Sequence, residues 1–294
     1  MQLQFETLND IQCSLGEGPV YDARRDMLFY CDIPAKAVHG VQLATGETRT
    51  WTFPTDVGSL GVCESGRVLV ALRHAVVLFD IDTGKSTEIA TVEEGRTETR
   101  LNDGKVGPDG AFWVGTMDDR EIAVKEPIGS LYRITADGKV ERKVEGVVVS
   151  NGLAFSPDGR TMFHSDSRAR WIDRWDLEPA TGAISNRTRI ASLDDATGRP
   201  DGAAMDAEGC YWSAGVSAAR LNRFAPDGTL VAHYPVPVAA PTMPCFVGAD
   251  LRTLVVTSLR AGRAPELLAR YPLTGITLRA PSPVAGAPVS RFRD

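Results

Sequence analysis

The sequence is poor in the residues that form the commonest transition-metal and redox sites. It has only four histidines, and no spacing among them suggests a zinc or iron cluster. Its five cysteines are odd in number and include no Cys-x-x-Cys pair, so they predict no disulfide framework. Free cysteines within apolar strands are typical of a reducing compartment, and we therefore expect a cytoplasmic protein.

Long apolar runs and basic clusters are also missing. No stretch approaches the length of a membrane-spanning helix. The first ten residues, MQLQFETLND, contain two acids and lack the apolar segment of a secretory signal. The net charge is −6, with both signs mixed throughout the chain. We therefore expect no membrane partner and no nucleic-acid partner.

Several catalytic motifs are absent as well. The chain has no Gly-rich phosphate loop, no Gly-x-Ser-x-Gly elbow, no His-Glu-x-x-His pair and no EF-hand spacing. An eight-fold βα barrel of this length would need eight amphipathic helices. The best helical candidates, residues 119–126 and 265–270, are each only about two turns long. The sequence therefore predicts an all-β fold.

What the sequence does contain is a repeated pattern of short alternating strands. Residues 148–176 form one complete copy, with alternating apolar residues on both sides of a Pro-Asp-Gly turn at 157–159. Six copies occur, about 40 to 50 residues apart, which suits a four-stranded blade. They begin at Glu17, Gly58, Asn102, Asn151, Asp201 and Met243. The spacing predicts a six-bladed β-propeller of four-stranded antiparallel blades, with residues 1–294 forming one domain.

The two ends of the chain are expected to close the ring. Residues 1–9 predict an extended strand that joins the blade built from the C-terminal part of the chain, because such pairing removes open sheet edges. Residues 270–278 are expected to form the last outer strand. The Pro- and Ala-rich residues 280–294 predict a loose tail.

The residues that open the six repeats predict a metal site. The first strand of a blade lies nearest the propeller axis, so these residues should face the central channel at one end. Glu17, Asn102, Asn151 and Asp201 carry side-chain oxygens, the ligands that hard divalent cations prefer. Asn-Gly and Asp-Gly are also turn formers. The shared register and the carboxylate of Glu17 favour a metal site, because two acids facing a narrow channel would repel without a cation.

Five stretches of sequence carry a family resemblance, and they fall in five of the six repeats. They are LGEGPVY at 15–21, RLNDGKVGPDGAFWVGTM at 100–117, SNGLAFSPDG at 150–159, RPDG at 199–202 and PCFVG at 244–248. These stretches resemble the gluconolactonase family that includes regucalcin, the senescence marker protein. The resemblance implies a six-bladed propeller that binds one divalent cation and hydrolyses aldonolactones.

Position by position, the resemblance implies roles for individual residues. Glu17, Asn151 and Asp201 correspond to the metal ligands, and Asp201 also to the proposed general base. Arg100 and Asn102 correspond to residues that contact the sugar lactone. Arg100 as a surface arginine and Asn102 as an indirect, water-bridged ligand are the alternatives. Because metal coordination lowers the basicity of a carboxylate, a metal-bound hydroxide is the alternative nucleophile.

One position departs from the family pattern. Where regucalcin has a pair of acids soon after Gly-Thr-Met, this chain has Asp118-Asp119-Arg120. Arg120 thus occupies the position of the acid that contacts substrate, which makes Arg120 a candidate substrate contact. The sugar selectivity of regucalcin therefore does not transfer to this chain.

The sequence predicts a metal-dependent hydrolase that opens an aldono-1,4- or 1,5-lactone to the aldonic acid in carbohydrate catabolism. One divalent ion is expected, and calcium, zinc, manganese, magnesium and iron(II) all suit oxygen ligands. The alternatives are hydrolysis of another neutral ester, such as an organophosphate or another lactone, and a non-enzymatic calcium-binding propeller. The expected partner is a small sugar lactone, and the sequence indicates no oligomeric state.

Overall fold

The computed structural model describes residues 2–294 and contains 24 β-strands in six antiparallel sheets of four strands each. The predicted six-bladed β-propeller is confirmed. The chain begins with β1 (Glu6–Gln12) and then builds five blades, each from four consecutive strands. Blade 6 contains the last three strands, and β1 provides its fourth.

The strands of the first three blades have the following bounds. Blade 1 contains β2 (Gly16–Asp22), β3 (Met27–Asp32), β4 (Ala37–Gln42) and β5 (Thr48–Thr52). Blade 2 contains β6 (Val57–Val62), β7 (Val68–Leu72), β8 (Ala75–Phe79) and β9 (Ser86–Thr91). Blade 3 contains β10 (Thr99–Val106), β11 (Phe112–Asp118), β12 (Gly129–Ile134) and β13 (Val140–Val147).

The remaining strands complete blades 4 to 6. Blade 4 contains β14 (Ser150–Phe155), β15 (Thr161–Asp166), β16 (Trp171–Glu178) and β17 (Ala183–Ser192). Blade 5 contains β18 (Pro200–Met205), β19 (Tyr211–Gly215), β20 (Arg220–Phe224) and β21 (Leu230–Pro235). Blade 6 contains β22 (Pro241–Val247), β23 (Thr253–Ser258) and β24 (Ile276–Pro281).

Helical structure is confined to two short segments of the described chain. The predicted helix at residues 265–270 is confirmed as α1 (Pro265–Arg270), between β23 and β24. Of residues 119–126, only Ile122–Val124 is helical, as one 3-10 turn. No helix within residues 2–294 has the length and apolar character that a membrane crossing requires.

The turn between β14 and β15 shows why the repeated Pro-Asp-Gly pattern forms hairpins. The Asp158 carboxylate accepts hydrogen bonds from Ser156 Oγ (2.6 Å) and from the backbone N–H of Arg160 (3.0 Å). The next residue, Gly159, has φ +70°, a left-handed conformation that glycine adopts without a steric penalty. Local side-chain chemistry thus fixes the turn, as the sequence predicts.

The ring closes through the N-terminal strand. β1 pairs with β24 in antiparallel register, with Glu6 opposite Arg279, and these two side chains form an ion pair of 2.7 Å. The predicted closing strand is confirmed, although it spans Glu6–Gln12 instead of residues 1–9, and Met1 lies outside the described residues. The predicted outer strand at 270–278 is wrong, because β1 takes the outer position and β24 the third.

The hydrophobic core is divided among the six blade interfaces. Each of six clusters of buried side chains lies between two neighbouring blades, and one of them joins blade 6 to blade 1. Each blade is therefore apolar on both faces, and it is stable only between two neighbours. This arrangement explains the nearly uniform burial of the first two strands in each blade.

The C-terminal residues are part of this core, so the prediction of a loose tail is wrong. The backbone N–H of Ala287 donates to Met205 O in blade 5 (2.9 Å), and that of Phe292 donates to Val62 O in blade 2 (2.8 Å). The Phe292 ring is fully buried in the cluster between blades 2 and 3. The terminal Asp294 pairs with Arg67 (2.6 Å). The tail therefore crosses between blades on opposite sides of the ring.

Shortening Phe292 should destabilise the whole propeller. We expect Phe292→Ala to lower the free energy of unfolding by about 3–5 kcal/mol, because it leaves a cavity between two blades. Urea titration measures this change. The matched control is Val289→Ala, in an exposed part of the same tail, which should change stability by less than about 0.5 kcal/mol. Equal effects of the two substitutions would show that the tail is not packed.

Candidate active site

The first strands of the six blades surround a central channel. β2, β6, β10, β14, β18 and β22 contact one another in this order, and β22 contacts β2. Glu17, Asn151 and Asp201 are each the second residue of such a strand. They are buried, with 8%, 4% and 9% of their surface exposed. The alternative that these residues form turns is therefore wrong, because all three lie within strands.

Every first strand carries a one-residue bulge near the predicted site positions. In blade 4, Asn151 lies opposite Ser165 and Ala154 lies opposite Phe163, so three steps along β14 match two steps along β15. The corresponding shift occurs in the other five blades. Bulges bend a strand and redirect side chains, and they are common beside active sites. The bulges interrupt the simple alternation of side chains where the candidate residues lie.

Glycines after the candidate ligands allow neighbouring inner strands to approach closely. Gly152 has φ +62°, and a Cβ at this position would overlap the Tyr211 hydroxyl and lie 3.1 Å from Asp201 O. A Cβ on Gly202 would lie 2.5 Å from Met243 Cβ. A side chain at either position would push adjacent blades apart. The Asn-Gly and Asp-Gly pairs thus serve strand packing around the channel.

Three buried carboxyl groups, those of Glu17, Asp103 and Asp201, interact electrostatically in the channel. Burial raises the pKa of Glu17 well above its usual range, and the charges of Asp201 and Asp103 raise it further. Burial and the charge of Asp103 likewise raise the pKa of Asp201. The backbone N–H of Gly18 donates to Glu17 Oε2 (3.0 Å). The group carries an excess of negative charge that a bound cation would neutralise.

Asn151 lies on β14, between the strands that carry Asp103 and Asp201. Its Nδ2 donates to Ser167 Oγ (2.8 Å), while its Oδ1 is buried and has no hydrogen-bond partner among residues 2–294. A buried carbonyl oxygen without a partner costs free energy unless something else binds it. Oδ1 of Asn151, with the carboxylates of Glu17 and Asp201, fits an oxygen-ligated divalent cation.

The candidate cation ligands are two carboxylates and one amide. Within the described part of the chain, no three His, Cys, Asp or Glu side chains are grouped so that they could hold a metal ion by themselves. A cation at this end of the channel would need the neutral oxygen of Asn151 in addition to Glu17 and Asp201. Two carboxylates and one amide leave coordination positions for water or substrate.

Arg100 and Asn102 form one hydrogen-bonded network on β10. Arg100 Nη1 donates to Asn102 Oδ1 (2.8 Å), and Arg100 Nε forms an ion pair with Asp119 (3.0 Å). Asn102 Nδ2 donates to Ser150 O (2.9 Å), immediately before Asn151. The alternative of Arg100 as a surface arginine is wrong, since only 8% of the residue is exposed. The structure brings Arg100 and Asn102 together with the candidate ligands.

Arg120 belongs to a different cluster. Its guanidinium donates to both carboxylate oxygens of Asp118 and to Glu126 Oε2 (3.2 Å), and the side chain is partly exposed. These hydrogen bonds lower the pKa of Asp118. None of the hydrogen bonds of Arg120 within residues 2–294 reaches Arg100 or a candidate ligand. Asp119, the residue before Arg120, pairs with Arg100 (3.0 Å) and with Arg73 (2.8 Å).

Two aspartates that follow the candidate ligands brace the loops before them. Asp32 accepts hydrogen bonds from the backbone N–H groups of Ser14 (2.9 Å) and Leu15 (3.1 Å), just before Glu17. Asp166 accepts hydrogen bonds from those of Val148 (2.7 Å) and Val149 (3.2 Å), just before Asn151. These contacts give Asp32 and Asp166 a supporting role, because each carboxylate fixes the loop that leads into a candidate ligand.

The repeat pattern does not predict two further charged residues of the channel, Asp103 and Lys105. Asp103 accepts a hydrogen bond from Leu153 N (3.0 Å), and burial raises the pKa of Asp103 while the charge of Lys105 lowers it. Lys105 Nζ donates to Ala203 O (2.7 Å). The sequence Asn102-Asp103-Gly104 is typical of a turn, yet it lies within β10. The signal available in the sequence was two opposite charges spaced two residues apart in a strand expected to be buried.

A separate cavity of about 190 Å³ lies where the first strands end. Its wall is largely apolar and includes Val20, Phe155, Met205 and Phe246, together with the C-terminal tail and Lys105. Glu17, Asn151 and Asp201 do not line this cavity. The polar groups that carry chemistry are therefore at the other end of the channel.

Comparison with known proteins decides the family. Residues 15–260 match the model of the SMP-30/gluconolactonase/LRE-like region. The chain belongs to this family. The matched region includes all six first strands and every candidate site residue. The family resemblance inferred from the sequence is confirmed.

Named members of the family are similar over most of the chain. A 6-deoxy-6-sulfogluconolactonase of Pseudomonas putida is 38% identical over 265 residues, 89% of each protein. Regucalcin of Gallus gallus is 32% identical over 276 residues, covering 93% of this chain and 92% of that protein. The crystal structure of a calcium-binding protein, regucalcin from Agrobacterium tumefaciens, superposes with a TM-score of 0.93 at 28% identity, covering 100% of this chain and 99% of that one. These matches confirm the predicted enzyme class, a lactonase acting on a carboxylic ester.

The buried acids make a prediction for the metal-free protein. Because the folded-state pKa values of Glu17 and Asp201 are raised, the folded protein binds more protons than the unfolded chain above about pH 4. The free energy of unfolding in EDTA should therefore fall as the pH rises from about 5 to 8. Asp201→Asn should make this decline shallower, which urea titrations at several pH values would measure.

The control for this prediction is Asp227, an exposed aspartate whose pKa is lowered in the folded protein. Hydrogen bonds from Thr229 lower the pKa of the exposed Asp227, so its stabilising effect is already complete at pH 5. Asp227→Asn should shift the whole curve without changing its slope. If Asp201→Asn also left the slope unchanged, the pKa of Asp201 would not be raised in the folded protein.

Proposed function

We propose that this protein is a metal-dependent hydrolase that opens a sugar lactone, an aldono-1,4- or 1,5-lactone, to the aldonic acid. The observation that carries the proposal is the unpartnered Asn151 Oδ1 beside two buried carboxylates. Such a set is costly in a protein without a ligand and favourable around a divalent cation. The names of the family members supply the class of substrate.

Glu17, Asn151 and Asp201 would hold the cation. When bound, a divalent cation would polarise the lactone carbonyl and stabilise the charge that develops on its oxygen. Calcium, zinc, manganese, magnesium and iron(II) are all compatible with ligands that are only oxygen atoms. The two carboxylates balance the charge of a divalent ion, and the neutral Asn151 adds a ligand without adding charge.

We assign the proton transfers to Asp201. Its carboxylate accepts the proton of the water that attacks the carbonyl carbon. It returns that proton to the ring oxygen when the bond between the carbonyl carbon and the ring oxygen breaks. Burial and the charge of Asp103 raise the pKa of Asp201, and the charges of Arg199 and Arg263 oppose that shift in favour of the ionised form that a general base requires. Asp201 has two oxygens, which is why one group can serve both as ligand and as base.

Arg100 is assigned the direct contact with the lactone oxygens. Its Nε and Nη1 are bound by Asp119 and Asn102, so the guanidinium plane is fixed and Nη2 is left to donate. Asn102 uses both ends of its amide within the protein and thereby positions Arg100. Arg120 stays a predicted substrate contact, at the rim beside Asp118.

The biological setting of the proposal is a cytoplasmic pathway of carbohydrate catabolism. All five cysteines are free thiols in the described chain, which supports a reducing compartment. A lactone must be produced by oxidation of a cyclic sugar, so a sugar dehydrogenase reaction would supply the substrate. One relative is named for a lactone that carries a sulfonate, and anionic lactones therefore belong among the substrates to be tested.

Turnover of sugar lactones should require both metal and Asp201. In proton-release assays with γ- and δ-aldonolactones, the EDTA-treated protein should be inactive, and one or more divalent cations should restore activity. Asp201→Asn and Glu17→Gln should each lower kcat/KM by about 10²–10⁴-fold, because each removes a cation ligand and Asp201 is also the base.

Asp227→Asn serves as the matched control, since this exposed aspartate lies in a hairpin turn and should retain full activity. Metal-independent hydrolysis, or equal activity of Asp201→Asn and wild type, would contradict the proposed site. If the protein bound a cation but hydrolysed no lactone or other ester, a non-enzymatic calcium-binding propeller would be the better account.

A further inference from the structure

Two arginines lie beside Asp201 on loops at the same end of the propeller. Arg199 lies between β17 and β18, where its backbone N–H donates to Ser217 Oγ (2.9 Å). Arg263 follows β23, and its backbone N–H donates to Arg260 O (3.2 Å). The two loops belong to neighbouring blades, 5 and 6. The fold therefore brings two cationic side chains together at the edge of the candidate site.

The Nε–H donor of each arginine lacks a well-formed hydrogen bond. Within residues 2–294, Nε of both Arg199 and Arg263 is buried without a hydrogen-bond partner. Arg263 has no carboxylate within ion-pair distance in the described chain. Arg199 Nε has only Asp195 (3.2 Å), a largely exposed acid that also pairs with Arg170 (3.2 Å). Buried donors of this kind are costly when nothing accepts from them.

The two arginines also act on each other and on Asp201. Burial lowers the pKa of Arg263, and the positive charge of Arg199 lowers it further, so the two cations repel. Asp201 is the acid that attracts Arg263. If Asp201 is committed to a cation, as the proposed function requires, its charge is shared, and the pair is left with the largely exposed Asp195 as its carboxylate partner in the described chain.

We propose that Arg199 and Arg263 bind an anionic group, a sulfonate, phosphate or carboxylate, that the substrate lactone carries away from its reacting carbonyl. This inference rests on the proposed function, because it places the anion on the substrate of that site. Two guanidinium groups offer forked donors that match a tetrahedral or planar oxyanion. Such an anion would give the buried Nε atoms acceptors and would relieve the repulsion between the two cations.

Two other arginines near the candidate site already have carboxylate partners. Arg120 stands where the family pattern has an acid, and it pairs with Asp118 and Glu126. Arg100 pairs with Asp119, which also pairs with Arg73. Arg199 and Arg263 differ from these two because the Nε atom of each is buried without a hydrogen-bond partner within residues 2–294. They are therefore the arginines with donors left for an anion.

The first test compares lactones that differ only in the distal group. Glucono-1,5-lactone, its 6-phosphate and its 6-deoxy-6-sulfonate are assayed with wild type, Arg263→Gln, Arg199→Gln and the control Arg142→Gln, an exposed arginine on the outer strand β13 that pairs with Glu145. We expect wild type to prefer an anionic lactone, and Arg263→Gln to lower kcat/KM for it about 30-fold. The neutral lactone should change less than about 3-fold, and Arg142→Gln should behave like wild type. The two anionic arms show whether sulfonate or phosphate is preferred.

A second readout needs no turnover. Isothermal titration calorimetry with gluconate, 6-phosphogluconate and 6-deoxy-6-sulfogluconate measures whether the distal anion adds affinity that Arg263→Gln removes. In the absence of ligand, Arg263→Gln should raise the melting temperature, because it removes an unpaired buried charge. A lower melting temperature with unchanged discrimination between ligands would assign Arg263 a structural role and overturn the inference.

The outcomes separate this inference from the proposed function. Equal losses on neutral and anionic lactones, or a wild-type preference for the neutral lactone, would overturn the anion site while lactone hydrolysis stands. Absence of turnover with all three lactones, together with anion binding that depends on Arg263, would overturn the proposed function while the anion site stands. Loss of discrimination only in the arginine variants supports both.

Discussion

Closure of the ring by β1 is the constraint on which the rest of the structure depends. Each blade is apolar on both faces, and blade 6 is incomplete until β1 pairs with β24. Closure also brings β2 against β22, so that Glu17, from the beginning of the chain, faces the same channel as Asp201. The candidate site is therefore a product of global folding, since no local segment contains two of its ligands.

The electrostatics of the site follow from this convergence. Three acids, Glu17, Asp103 and Asp201, are buried in the channel, and burial raises the pKa of each one. The charge of Asp103 raises the pKa of the other two further. The charge of Lys105 partly offsets that of Asp103, and the charges of Arg199 and Arg263 partly offset that of Asp201. Within residues 2–294, Asn151 Oδ1, Asp103 Oδ1 and the Nε atoms of the two arginines are buried without hydrogen-bond partners. We place the cation at Asn151 Oδ1 and the substrate anion at the two arginines.

Much of the fold was predictable from the sequence because the strands and turns depend on residues that are close together in the chain. The Asp-Gly turns and the two-residue alternation identify the hairpins, and their repetition gives the number of blades. The channel position of Glu17, Asn151 and Asp201 followed from that register. The bulge in each first strand was not predictable, because it depends on contact between neighbouring inner strands, as the close approach of Gly202 to Met243 shows.

Long-range packing explains the other differences. The proline and alanine content of the tail predicts a loose segment. Phe292 nevertheless packs between blades 2 and 3, which are far from it in sequence. Arg263 gave no sequence signal at all, and Arg199 gave only its position next to Pro200 and Asp201. Charged residues on loops can be assigned to a site only when the loops are placed in space.

The central claim is that one divalent cation binds between Glu17, Asn151 and Asp201, and anomalous diffraction tests it most directly. Crystals grown with Mn²⁺ should show a single anomalous peak at this end of the channel, about 2.0–2.6 Å from Asn151 Oδ1 and from a carboxylate oxygen of each acid. The peak should be absent from crystals of Asp201→Asn. A peak elsewhere, or the same peak in that variant, would contradict the account.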